Sequence, residues 1–162
     1  MAAKLTMRTW VDASTLIALD LARELTILHR LLGQLVITEE VRTEVFGGKE
    51  SRVLREAFGD WIQVLPVKGD LRKWAALGLG PGEASLFLTP RGDRLVIDDA
   101  PARTVAESEG REYTGLLGLL LAGAKARNIT APDARRVLGA LVRTGFHVAS
   151  HLYDEMTREL GG

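Results

Sequence analysis

Apolar runs of only two or three residues, each followed by a helical pattern, punctuate this chain. Trp10-Val11, Leu35-Val36-Ile37 and Leu95-Val96-Ile97 are too short for amphipathic helices and too uniformly apolar for strands with one wet face. Such runs suit strands covered on both sides, which is the situation of a parallel sheet. Strands are predicted over 4–11, 35–37, 61–65, 95–97 and 111–114. Helices are predicted between them, over 14–32 with Gly33 as its stop, 38–46, 51–58, 71–77, 82–88 and 101–109. Asp12 or Ser14 is placed to cap the first of these, Thr38 caps the second, and Pro101 suits a first helical turn. Beyond Gly115 the pattern turns helical, over 115–125, 131–144 and 151–160, with a short extended piece at 145–150. Strands alternating with helices define an α/β fold on a parallel sheet.

A length of 162 residues is that of one domain with a real core. The chain has no cysteine, which excludes disulfides, thiolate metal sites and a cysteine nucleophile, and which is compatible with the cytosol. No signal-peptide core precedes the first strand, and the apolar stretch at 116–126 is too short for a bilayer and is broken by Gly118, Gly123 and Lys125. A cytoplasmic protein is therefore expected. The formal net charge is 0, so no large phosphate footprint is built into the composition. The charge is uneven, however: Lys125, Arg127, Arg135, Arg136 and Arg143 face only Asp133 in their segment, which reads equally as a local basic face or as a solvated helix surface.

The chemistry-bearing residues are acids. Asp12 closes the first apolar run, and Asp98-Asp99 close the run before the helix at 101. Glu44 lies in Val41-Arg42-Thr43-Glu44-Val45, and Glu83 in Gly80-Pro81-Gly82-Glu83-Ala84. Ligands of open α/β sheets bind outside the carboxyl ends of the strands, so acids that follow strands converge there. Converging carboxylates repel one another unless a cation neutralises them, which is the logic of a magnesium or manganese site on phosphodiesters. His29, His147 and His151 have no ligand-like grouping, and no phosphate-cradling glycine loop follows a strand.

In order and spacing these segments resemble the PIN-domain ribonucleases, the fold of many toxin–antitoxin toxins, over about the whole chain. The carrying pieces are Val11-Asp12-Ala13-Ser14-Thr15-Leu16-Ile17, the Glu44 segment, Gly80-Pro81-Gly82-Glu83-Ala84, and Val96-Ile97-Asp98-Asp99-Ala100-Pro101-Ala102-Arg103, with Thr114-Gly115-Leu116-Leu117-Gly118 after them. The Gly-Pro-Gly-Glu and Asp-Asp-x-x-Ala-Arg pieces look most like a subgroup encoded beside small antitoxins. The resemblance implies a single PIN-like domain over 1–162, a three-layer α/β/α with a short parallel sheet of four to five strands, and a helical part from about 116. It implies catalytic acids at Asp12, Glu44, Glu83 and Asp99, and Mg2+ or Mn2+ held by Asp12, Asp98, Asp99 and Glu83. Spacing does not separate Asp98 from Asp99, and one of the two is free simply to cap the next helix. Ser14 matches the hydroxyl that orients the first acid. Arg103 matches a residue that pairs with an acid or touches a phosphate, and it reads equally as a surface arginine. Glu44 taken alone is an ordinary solvated helix residue, and Glu83 an ordinary first-turn acid.

The activity this implies is metal-dependent hydrolysis of RNA, as the toxin of a pair, with a small antitoxin laid over the acids and a homodimer formed through helices. Leu116, Leu119, Leu120, Val137, Leu138 and Leu141 offer apolar faces for that dimer, and fit core packing better. The alternative is a catalytically weak PIN-like module that acts by binding a protein or RNA partner. An aspartyl phosphatase fits poorly, because Ala13-Ser14 follow Asp12 where Asp-x-Asp is needed. No residue pattern reads bases, and the scarce aromatics Trp10, Trp61 and Trp74 suit a core or an interface better than a stacking platform.

Overall fold

The computed structural model describes residues 7–161. They form a five-stranded, all-parallel sheet in the order β3-β2-β1-β4-β5, flanked by helices. The strands are β1 (Thr9–Val11), β2 (Leu35–Ile37), β3 (Ile62–Val64), β4 (Arg94–Val96) and β5 (Tyr113–Thr114). The helices are α1 (Ala13–Leu21), α2 (Ile27–Leu32), α3 (Glu39–Val45), α4 (Arg52–Ala57), α5 (Arg72–Ala75), α6 (Pro81–Leu86), α7 (Ala100–Ser108), α8 (Leu116–Lys125), α9 (Ala131–Arg143) and α10 (Ser150–Glu159). The α/β architecture read from the sequence is the one observed.

β1, β2 and β5 end directly at a residue that starts a helix, β4 reaches one a short step later at Asp99, and β3 runs into a longer loop before α5. Asp12 accepts the Thr15 N–H and caps α1; Thr38 accepts the Val41 N–H and caps α3; Asp99 accepts the Ala102 N–H and caps α7. Two expectations are corrected. The predicted helix over 14–32 is two helices, because the chain turns at Arg23 with φ of 59° before α2 begins. The piece at 145–150 pairs with no strand, and Ser150 already belongs to α10. The first strand begins at Thr9, and its predicted start at 4–6 lies outside the described residues.

One core runs through the sheet and the C-terminal helices. Val11, Ile37, Ile62, Leu95 and Ile97 fill it from the sheet side and Leu16 and Leu19 from α1. Leu116, Leu119, Leu120, Val137, Leu138 and Leu141 are buried in the same cluster, so these side chains are core and not a free dimer face. Trp10, Trp61 and Trp74 are also buried. The Trp10 indole donates to Asp93 Oδ2 at 2.8 Å, and the buried Arg111 guanidinium reaches Thr89 Oγ1 at 2.8 Å and the Pro90 carbonyl at 3.1 Å. Together they fix the turn that leads into β4. Among the described residues no helix is long and apolar enough to cross a membrane.

The strand order decides where a site can lie. From β1 the chain moves to β2 and β3 on one side, then returns to place β4 and β5 on the other. The carboxyl ends of β1 and β4 therefore flank the point where the order reverses, where ligand crevices of open parallel sheets form. Asp12 and Asp98-Asp99 follow these two strands. The Asp12 N–H still donates to the Val96 carbonyl at 3.0 Å, so the two ends stay in register up to the acids.

Candidate active site

Asp12 is 2% exposed, and its oxygens are fully oriented by the backbone. Oδ1 accepts the Thr15 N–H and Oδ2 the Asp98 N–H, each at 2.9 Å. Burial nevertheless raises its pKa to about 6, against the opposing pull of its hydrogen bonds to Thr15 and Asp98 and with some repulsion from Asp98. A carboxyl in this position is held as an acid at mildly acidic pH unless positive charge arrives beside it.

Asp98 is as well satisfied as Asp12. Its Oδ2 accepts the Thr15 hydroxyl at 2.7 Å, and its Oδ1 accepts Arg103 Nη2 at 3.2 Å and the Leu116 N–H at 3.1 Å. Arg103 also donates from Nε to the Ile97 carbonyl at 2.9 Å. Asp99 differs: Oδ2 caps α7 through the Ala102 N–H at 3.1 Å, and Oδ1 has no hydrogen-bond partner among the described residues.

Glu83 sits in the first turn of α6 and Glu44 near the end of α3. The carboxyl of Glu83 is raised by partial burial first, then by the negative charges of Asp99 and Glu44. Glu83 therefore stands between the other two acids electrostatically. Among the described residues none of the three has a basic partner within ion-pair distance. What brings Glu44 to Glu83 is a buried lock between α3 and α6. The Ser85 hydroxyl donates to the Gly82 carbonyl at 2.6 Å, so Thr38 Oγ1 donates to Ser85 Oγ at 2.7 Å while accepting the Val41 N–H. The Glu44 carboxylate packs over Gly82, where a Cβ would meet Oε1 at 3.5 Å in ordinary contact.

The acids predicted from the sequence thus fall into two linked groups. Asp12 and Asp98 are joined through Thr15 and are hydrogen-bonded throughout. Glu83 lies within reach of the charges of both Asp99 and Glu44, and none of the three has a basic partner among the described residues. Ser14 is exposed and makes no hydrogen bond among the described residues; the buried neighbour Thr15 carries both contacts. Sequence reading passed over Thr15, although its place three residues after a helix-capping aspartate is the signal of a side chain turned back toward the strand end. His29 stacks on Trp61 with centroids 5.0 Å apart, a packing role. The basic segment is neutralised in part: Arg136 pairs with Glu24 at 2.9 Å and Asp133 at 2.7 Å and Lys125 with Glu159 at 3.5 Å, whereas Arg135 donates to the neutral Leu160 carbonyl at 2.6 Å and Arg127 and Arg143 form no ion pair among the described residues.

Among the described residues no three acidic or histidine side chains stand close enough to hold a metal ion between them. Magnesium does not need such a cage. It keeps several waters and takes one or two protein carboxylates together with substrate oxygens. The oxygen-only donors Glu83 and Asp99, raised or left open and without a cationic partner, fit a hard divalent ion.

Fold and site together define a parallel α/β domain with a carboxylate cluster at the switch point of its sheet. A family model described as a PIN domain (DUF3368) matches residues 9–162, and the chain belongs to that family. PIN domains are generally nucleases acting on RNA, and they usually bind divalent metal ions. Comparison with curated proteins and with solved structures returned no match.

Proposed function

We propose that the protein is a divalent-metal-dependent endoribonuclease and the toxin of a toxin–antitoxin pair. The observation that carries the nuclease reading is the approach of Glu83 to both Asp99 and Glu44, without basic partners, at the reversal of strand order where buried Asp12 and Asp99 follow neighbouring strands. In this reading Asp12, Glu83 and Asp99 would serve Mg2+ or Mn2+ with no more than two carboxylates to an ion, waters and substrate oxygens supplying the rest. When bound, the ion supplies Lewis acidity for attack of water on the phosphate and for departure of the 3′-oxygen. The chain's own contribution is orientation. The Thr15 and Asp98 amides fix both Asp12 oxygens, and the cap at Ala102 fixes the rotamer of Asp99. Glu44 and Glu83, held together by the Thr38–Ser85 lock, accept O–H protons and so orient water at the scissile phosphate.

The toxin role rests on the Gly-Pro-Gly-Glu and Asp-Asp-x-x-Ala-Arg pieces and on their likeness to the antitoxin-linked subgroup. An antitoxin with a basic side chain would find its counter-charge in the unpaired acids. A homodimer belongs to the same expectation, through surfaces other than the buried faces of α8 and α9. The second reading, a binding module of weak activity, is favoured by one observation: the acids do not form a three-ligand cluster as they stand.

Cleavage of a structured and an unstructured RNA with Mg2+ or Mn2+, by wild type and by Asp12→Asn, tests the proposal. Metal-dependent cutting lost in the variant is the expected result. A folded wild type that neither cuts RNA nor binds Mn2+ in a titration leaves the binding module as the reading to pursue.

A further inference from the structure

We infer that Asp98 is a positioning residue, the centre of a latch with Thr15 and Arg103 that sets Asp12 and Asp99, and that it is not itself a metal ligand. The inference rests on the nuclease reading above. It starts from the different surroundings of two adjacent aspartates.

The Asp98 side chain is 7% exposed and holds three donors from three separate elements. Thr15 comes from the first turn of α1, Arg103 from α7, and the Leu116 N–H from the start of α8. The Asp98 N–H then donates to Asp12 Oδ2, while the N–H of the same Thr15 donates to Asp12 Oδ1. One carboxylate thereby ties the ends of β1, β4 and β5 together, and both groups that orient Asp12 belong to the residues it ties. A cation seated on Asp98 would have to share oxygens with a guanidinium, at the cost of like-charge repulsion. Asp99, one residue on, has Oδ1 open and shares its field with Glu83.

The backbone is shaped for this latch. A Cβ at position 115 would collide with Arg103 Nη2 and lie 3.2 Å from Asp98 Oδ1, so glycine there is what lets the guanidinium reach the carboxylate. Thr15 is fully buried, so its hydroxyl has no solvent alternative to Asp98.

The two roles respond differently to asparagine. In Asp98→Asn the new amide can keep its oxygen toward Arg103 and Leu116 and turn its NH2 toward Thr15, whose hydroxyl then accepts instead of donating. A positioning residue survives that exchange, and a ligand does not. The experiment compares Thr15→Val, Thr15→Ser, Asp98→Asn and Asp99→Asn, all checked for folding by thermal unfolding. It reads RNA cleavage, Mn2+ affinity by calorimetry, and amide exchange in the metal-free protein by NMR. Thr15→Val is expected to slow cleavage roughly 10- to 100-fold, the usual effect of losing a group that orients a metal ligand. KM for RNA should stay put, and Thr15→Ser, which keeps the hydroxyl, should recover most of the rate. The Asp98 and Leu116 amides should exchange faster in Thr15→Val than in wild type or Thr15→Ser. Asp98→Asn, because its amide keeps the latch paired, should keep Mn2+ affinity within a few-fold, whereas Asp99→Asn should lose it by more than about tenfold.

Cleavage by Thr15→Val at the wild-type rate overturns the inference, as does loss of Mn2+ from Asp98→Asn as complete as from Asp99→Asn. In both cases an active wild type leaves the nuclease reading standing. A wild type with no cleavage and no Mn2+ binding removes that reading, and the positioning role goes with it.

Discussion

Replacing Asp12 by asparagine separates two costs that the wild-type residue carries together. The carboxyl is buried, and its pKa rises from 3.8 to about 6. A shift of about 2 units corresponds to about 3 kcal/mol between its two protonation states. Because the folded value lies above the unfolded one, the stability involved is fully present below about pH 4 and is lost as pH rises. From about pH 4 to 6 the unfolded chain ionises while the folded one keeps its proton, and stability falls by about 1.4 kcal/mol per pH unit. Above about pH 6 both states are ionised and the penalty is constant. Asparagine carries no charge and has no such slope. It has its own cost, because one of the two N–H groups now facing Asp12 oxygens must face an NH2, which leaves a buried donor unpaired at about 1–3 kcal/mol. Without metal, the variant should be the weaker protein near pH 4.5 and should equal or exceed wild type at pH 7.5. The difference between the two should move by roughly 2–3 kcal/mol over that range, or about 4–12 °C in Tm for a chain of this size. Thermal unfolding of both proteins in chelator across this range measures it, since other titrating groups cancel in the difference. Added Mg2+ at pH 7.5 should then stabilise only the wild type. A difference that stays constant with pH would refute the assignment of a raised, buried acid at Asp12.

Three other outcomes follow from the same geometry. Glu83→Gln removes a charge repelled by Asp99 and Glu44, so metal-free protein should unfold no earlier than wild type while RNA cleavage falls at least about a hundredfold; unfolding and cleavage assays on one preparation check both. Ser85→Ala strips the lock between α3 and α6 and leaves the Thr38 hydroxyl without its acceptor, at about 1–3 kcal/mol by chemical denaturation, with slower cleavage because Glu44 loses its placement beside Glu83. Gly115→Ala drives the Arg103 guanidinium off Asp98; since the far end of a flexible side chain can move, the stability cost should be only about 1 kcal/mol by denaturation, accompanied by a loss of cleavage larger than that cost suggests.

The centre of the sheet was legible because β1, β2 and β4 are bare apolar runs closed by a residue with a side chain that caps the next helix. Val11, Ile37 and Val96 are buried, and Asp12, Thr38 and Asp99 mark where extended backbone must turn helical. The same logic failed at 21–26. Apolar spacing continues through Leu21, Leu25 and Leu28 as if one helix ran on, and nothing in that period announces that Arg23 takes a left-handed conformation. Leu25 and Leu28 are buried in the core that α1 also covers, so the period carries on across the break, while Leu21 at the end of α1 is apolar yet exposed and keeps the period without being covered.

At the site, sequence supplied the acids but not their partners. Asp98 and Asp99 are identical in type and adjacent, and both follow a strand, so only the third dimension distinguishes them. Successive residues leaving a strand point in different directions. Asp98 turns inward to meet Thr15, Arg103 and the Leu116 amide, and Asp99 turns to the helix start and toward Glu83. Those partners lie as far as 83 residues away in the chain, in the case of Thr15. A motif records which residue types are present, whereas the division of labour between two like residues depends on which donors reach each one first. A carboxylate already holding three donors has become part of the scaffold, and its neighbour with an open oxygen is left to meet a ligand.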